Sequence, residues 1–219
     1  MDGATRLWCY TMDPSVRWEY CNVGSPKKRC YNESSGPGVV YTRGGHSSCP
    51  GITTLVYKGI MAGSYYTHAG NGGNYLCLPE VAKYDDSVVV AGHQSDRGYI
   101  YPVEYRMSSG PLSSKRFHDV PCAVCLQEHR SNYILYPARD DCPSGWTREY
   151  YGYLMSSASS HTTSEYVCVD KSGGVLAGTS AAVDEALLYP VESVCLAGSG
   201  LPCAPYVNGY ELSCAVCSK

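Results

Sequence analysis

The spacing of the cysteines constrains this chain more than anything else in it. CAVC is written twice, at residues 122–125 and again at 214–217. Set Cys49-Pro50 against Cys142-Pro143, and CPGITTLVYKG runs beside CPSGWTREYYG with Cys, Pro, Tyr and Gly in identical places. The register continues. His68 and His161 stand nine residues past that shared Gly, Cys77 and Cys168 follow, and the two CAVC stretches close the match. Coincidence at four cysteines plus Pro, Tyr, Gly and His is improbable, so the chain reads as two tandem copies of one unit. The expected organisation is an N-terminal segment 1–38, a first repeat 39–126 and a second repeat 127–219.

Each copy reads as strands. YILYPA, TREYYGYLM and EYVCVD are rich in Tyr, Val, Ile and Leu with partial alternation, and Gly, Pro, Ser and Asn punctuate the chain at short intervals. Helix signals are nearly absent; the best candidate is SAAVDEALLY at 180–189, with Ser180 or Asp184 as a cap. The predicted class is all-β, two disulfide-stapled β subdomains related by a pseudo-twofold, with few short helices.

The bulk numbers narrow the function. The 219 residues carry 13 Cys, 23 Gly, 13 Pro and 21 Tyr against one Phe, a composition of oxidised, secreted, extracellular protein. A net charge of -3 offers no basic stripe for a phosphate backbone, and no apolar run approaches the ~20 residues that span a bilayer. Nucleic-acid binding and a membrane span are not expected. The opening MDGATRLWCY has neither a basic nor an apolar leader region, which suits a removed signal or a fragment with an added start. Asn32-Glu33-Ser34 is a glycosylation sequon, and a match of that length also arises by chance.

CAVC itself has three chemical readings. A redox pair needs its first thiol at a helix N-terminus, and DVPCAVCLQ is strand-like. A zinc clip usually separates its two CxxC pairs by about 15–20 residues, far fewer than here. Structural closure is the reading adopted. In a strand, residues i and i+3 point to opposite faces, so the two sulfurs reach different partners, most economically the two earlier cysteines of the same copy.

The residues then become recognisable. PCAVCLQEHRSNYILYPARDDCPSGWTREYYGYLM resembles the junction between the halves of the C-terminal noncollagenous domain of type IV collagen. AGSYYTHAGNGGNYLCLPE and LPCAPYVNGYELSCAVC are similar to the related domains of short-chain, spongin-type collagens, and the likeness runs from about residue 39 to the end. It implies the pairs Cys49 with Cys125, Cys77 with Cys122, Cys142 with Cys217, Cys168 with Cys214, and Cys195 with Cys203. The first copy departs from the family: GHQSDRGYIYP has no hairpin cysteines. Met107 lies near the family's crosslinking Met, yet the second copy has no matching Lys, so no crosslink is expected.

RLWCYTMDPSVRWEYCNV resembles the last third of a kringle, a disulfide module that often binds lysine. Trp8, Arg17 and Trp18 match the aromatic and cationic parts of that site, whose acidic half would lie upstream. Cys9, Cys21 and Cys30 form an odd set whose pairing stays open, and SSGPG at 34–38 reads as a linker.

Candidate ligand residues sit in the two polar loops that carry the repeated histidine. They are His68, Asn71, Asn74 and Tyr75 in the first copy, and His161, Glu165 and Tyr166 in the second. A loop histidine more often bonds a backbone carbonyl than a ligand. Asp85-Asp86 and Asp140-Asp141 lack the spaced oxygens of a calcium loop and read as solvated turns, although calcium stays open as a cofactor. No metal or catalytic residue is assigned, because no nucleophile elbow, zinc-protease helix or phosphate loop is present. The expected function is a non-enzymatic matrix or assembly module that associates with itself or with other extracellular proteins. The alternatives are a lectin-like recognition protein that binds glycans, and a lysine-binding adhesion protein acting through a kringle.

Overall fold

Strand formation follows from where the apolar and Tyr-rich stretches pair. The computed structural model describes residues 8–9, 19–20, 38–85, 92–93 and 96–219. The chain divides into two compact units, Met1–Ser35 and Gly36–Lys219. In the first unit, β1 (Trp8–Cys9) pairs antiparallel with β2 (Glu19–Tyr20).

In the second unit, the first copy supplies β3 (Val39–Gly44), β4 (Thr54–Gly63), β5 (Leu76–Pro79), β6 (Tyr101–Tyr105) and β7 (Pro121–Gln127). The second copy supplies β8 (Tyr133–Pro137), β9 (Thr147–Ser156), β10 (Val167–Asp170) and β11 (Ala186–Pro190). It then adds a small hairpin, β12 (Cys195–Leu196) with β13 (Ser199–Gly200), and the closing strand β14 (Ser213–Ser218). The only helix among the described residues is a single 3-10 turn at Ser113–Lys115. The protein is thus nearly all β.

The copies repeat each other in detail. Both CAVC strands run between the first two strands of their unit: β7 between β3 and β4, β14 between β8 and β9. Each long strand carries a bulge at the same place, Leu55/Tyr57 in β4 and opposite Val216/Cys217 in β9. Tyr57 donates its hydroxyl to the Cys77 carbonyl, and Tyr150 does the same to Cys168. The turns after Cys-Pro match as well, with Thr53 N–H on the Pro50 carbonyl and Trp146 N–H on that of Pro143.

Five disulfides tie the described residues: Cys49–Cys125, Cys77–Cys122, Cys142–Cys217, Cys168–Cys214 and Cys195–Cys203. These are the pairs that the collagen-type resemblance implies. The two sulfurs of each CAVC leave on opposite faces, as a strand requires. Closing the four long loops, with separations of 76, 45, 75 and 46 residues, stabilises by roughly 4 kcal/mol per bond in the chain-entropy picture.

The two repeats do not own separate cores. One cluster joins Met61, Val103, Tyr105 and Cys122 to Met155, Val169 and Leu188; another joins Tyr41, Ala123 and Cys125 to Tyr150, Leu154 and Val216. β10 pairs with both β9 and β3, and β11 with both β9 and β6, so the pairings close on themselves across the copies.

These cross-copy contacts are not reciprocal. Gly44 and Pro137 are equivalent, because each lies opposite the first Cys of its CAVC, and Val169 is equivalent to Leu78. Val169 pairs with Gly44, yet no pairing joins Leu78 to Pro137 among the described residues. Likewise Pro102 and Pro190 are equivalent, facing Ala62 and Met155. Val103–Tyr105 pairs in parallel with Ala186–Leu188, whereas the counterparts, 191–193 and 98–100, do not pair with each other. The pseudo-twofold therefore describes the repeat of the unit and not an exchange of contacts.

The helix expected at 180–189 is a correction. Asp184 takes a left-handed φ of 57°, and Ala186–Pro190 is strand β11. Ala186 and Leu188 are fully buried in the shared core, and that tertiary burial overrides local helix propensity.

Candidate functional site

The repeated histidines fall on one strip of stacked rings. His68 lies 4.9 Å from Tyr65 and 5.9 Å from Tyr101, between ring centroids. His161 lies 4.8 Å from Tyr66 and 5.5 Å from Tyr189. Tyr65 and Tyr66 are 5.1 Å apart, so the strip runs from one copy into the other. Burial holds the His161 imidazole below its ordinary pKa, and its Nδ1 is buried without a hydrogen-bond partner.

Two of the other loop candidates, Tyr75 and Glu165, hold the two copies together. Tyr75 N–H donates to Glu165 Oε1 at 2.6 Å, and Glu165 N–H donates to the Gly73 carbonyl at 2.7 Å. The Tyr75 hydroxyl meets Ser164 Oγ and the Leu187 carbonyl, and burial first of all pushes its pKa up to about 12. Asn71 sits at φ 81° and accepts from Tyr99 N–H while donating to Ser64 Oγ. Asn74 and Tyr166 are exposed. Trp8 and Cys9 lie in β1, and only their backbone is described; Arg17, Trp18, Cys21, Cys30 and Asn32 lie outside the described residues.

Along the strip, the two copies differ in one respect. In the second copy, His161, Ser157, Tyr189, Val191, Glu192 and Tyr166 line an open cleft of about 530 Å³. The equivalent place in the first copy, beside His68, Tyr101 and Val103, is filled. There Ala186–Leu188 pairs with Val103–Tyr105, Tyr66 N–H donates to the Glu185 carbonyl, and the Ala186 methyl faces Gly63. The open cleft is the unfilled version of a socket that the first copy closes with β11.

A polar cluster at the β3–β10 seam was not legible in the sequence. Arg43 donates to Asp170 Oδ2 through Nε at 2.9 Å and Nη2 at 2.6 Å. The Ser172 hydroxyl donates to Asp170 Oδ1 at 2.7 Å and meets His46 Nε2 at 2.9 Å. Burial works to raise the Asp170 pKa, but the Ser172 bonds and the Arg43 guanidinium outweigh it and hold the carboxyl below its usual value. Burial, then Arg43, lowers His46 against the opposing pull of Asp170. The carboxylate engages the serine instead of the far side of the imidazole, so the trio is a structural clasp and not an activated nucleophile. No group of three or more His, Cys, Asp or Glu that could hold a metal occurs among the described residues. Asp141 is engaged by Arg139 at 2.6 and 2.7 Å, and Asp86 lies outside the described residues.

Two similar proteins match short stretches of this chain. Over 22 residues, 10% of the chain, it is 64% identical to a human apolipoprotein(a)-like protein, of which that stretch covers 17%. Over 33 residues, 15% of the chain, it is 48% identical to goat plasminogen and covers 24% of it. The chain thus spans less than a quarter of the curated relatives it matches. Both are kringle-containing proteins, so they bear on the kringle resemblance and not on the collagen one. No family model matches the chain.

Proposed function

We propose that this is a secreted, non-enzymatic matrix or assembly module of the collagen noncollagenous type, which associates head to tail with further copies of itself. The observation that carries this reading is the non-reciprocal contact between its two repeats. The first repeat's socket is filled by a strand of the second repeat, whereas the second repeat's own socket, built from equivalent residues, is open. The second copy's socket is the cleft at His161, Tyr189 and Val191. The strand equivalent to Ala186–Leu188 is 98–100, where Ile100 is 48% exposed. Heterologous contacts of this kind close into rings or grow as filaments, according to the rotation per step.

The exposed apolar face of the first copy supports the same reading. Leu55, Tyr57 and Leu76 are 43%, 38% and 45% exposed, whereas Tyr150, the equivalent of Tyr57, is covered by the first repeat and 6% exposed. The five disulfides and the kringle-type similarity suit an oxidising, extracellular setting. Sedimentation of the full chain across the micromolar range should show concentration-dependent oligomers. Ile100→Asp, an exposed position, should abolish them while leaving the melting temperature unchanged. A monomer at every concentration, or oligomers indifferent to Ile100→Asp, overturns the proposal.

A further inference from the structure

A second surface differs between the copies through a reversal of charge. In the first copy, Lys58 of β4 pairs with Glu80, just past β5, at 3.1 Å. In the second copy those two positions are Tyr151 and Lys171, and Arg148 replaces Leu55. The Arg148 guanidinium lies 4.5 Å from the centre of the Tyr151 ring, and the Lys171 ammonium 5.3 Å from it. Neither cation makes an ion pair among the described residues; Arg148 donates one N–H to the Asp140 carbonyl at 2.6 Å, and the Asp141 carboxyl, already held by Arg139, feels its charge. The ring holds both in place, so little side-chain freedom is left to lose on meeting an anion.

These residues line an open cleft of about 680 Å³ beside Arg43 and Pro50. Both carboxylates in its wall are already engaged: Asp170 by Arg43 and Ser172, and Glu149 by the hydroxyls of Tyr41 and Ser218. Arg43 offsets Asp170, and Arg148 with Lys171 outnumber Glu149, so the lining carries an excess of positive charge on a chain of net charge -3. Arg148 and Lys171, two cations on one ring, match the anionic groups of a disaccharide, not the length of a nucleic-acid backbone. We propose that the Arg148–Tyr151–Lys171 cleft binds a sulfated, uronate-bearing glycan, the polyanion available in the oxidising setting that the disulfides require.

The probe is a set of size-defined heparin oligosaccharides, with chemically desulfated counterparts, tested on the full chain by surface plasmon resonance. The sulfated set should bind with steep salt dependence and the desulfated set should not. Arg148→Leu with Lys171→Glu installs the residues the first copy already carries, and should weaken binding at least tenfold with an unchanged thermal melt. Lys83→Glu, a charge reversal at an exposed site elsewhere, should change it less than twofold. Equal losses from the two substitutions, equal binding of the desulfated set, or no binding at low salt overturns the assignment. The outcome is independent of self-association, because Ile100→Asp should bind the oligosaccharides as the native chain does.

Discussion

Gly59 and Gly152 stand at the same point in the two copies, and neither position has room for a side chain. A Cβ on Gly59 would fall on the Leu78 carbonyl, and one on Gly152 on the Val169 carbonyl. Those carbonyls belong to β5 and β10, which the adjacent disulfides Cys77–Cys122 and Cys168–Cys214 hold in place, so the backbone has nowhere to retreat. Gly59→Ala or Gly152→Ala should each cost about 3 kcal/mol or more, read by chemical denaturation. Gly70→Ala, where nothing lies within 4 Å, should cost under about 1 kcal/mol. If Gly59→Ala melts with the native protein, this crossing of strands is wrong. The identity of the two glycines was visible in the aligned sequence; its reason was not, because the clash comes from a strand about twenty residues away. His46, Ser172 and Arg43 were illegible for the same cause, since they come from different copies and no local pattern links them.

At the scale of elements, β4 and β9 show how far pattern reading reaches. Their positions were clear from the matching CP…Y.G stretches, but β4 keeps Leu55, Val56 and Ile60 at the surface where β9 has Arg148, Glu149 and Tyr153. Which face of a strand meets solvent depends on what packs over it. The β6–β11 seam makes the point again, since its burial turned a helix-prone stretch into strand. That seam also gathers carboxylates. Burial, then Glu185 and Glu104, raises the Asp119 pKa above 3.8, and burial with Glu104 raises Glu185 above 4.5. A carboxyl raised in the folded state favours its protonated form. Its contribution to stability is complete below the unfolded value and is lost as the pH climbs through the folded one. Asp119→Asn should therefore raise the melting temperature at pH 7 and bring little gain at pH 3. Asp170, held low at the β3–β10 seam, behaves oppositely: its stabilisation is present above about pH 4 and drains away as acid protonates it. Asp170→Asn should accordingly lower stability at pH 7 and converge with the native protein in strong acid. A melt in which Asp119→Asn destabilises at neutral pH would contradict the burial assigned to that carboxyl.

For the whole molecule, the repeat in the sequence suggested two subdomains, while both hydrophobic clusters draw on both copies. Tyr41, Ala123 and Cys125 of the first copy cover Tyr150, Cys168 and Val216 of the second, so removing either copy uncovers the other's interior. Disulfides do not compensate, because every one of the five closes within a single copy and constrains only that copy's unfolded chain. A duplicated unit of this kind behaves like a repeat protein, in which stability resides in the interface between neighbours. Residues 38–126 and 127–219, produced separately with their disulfides formed, should each melt without a cooperative transition and expose apolar surface to a hydrophobic dye. Mixed in equal amounts, they should recover a cooperative melt and lose the dye signal. A sharp, dye-silent transition in either piece alone would mean that the copies carry independent cores, and the shared clusters would then be a consequence of folding and not its condition.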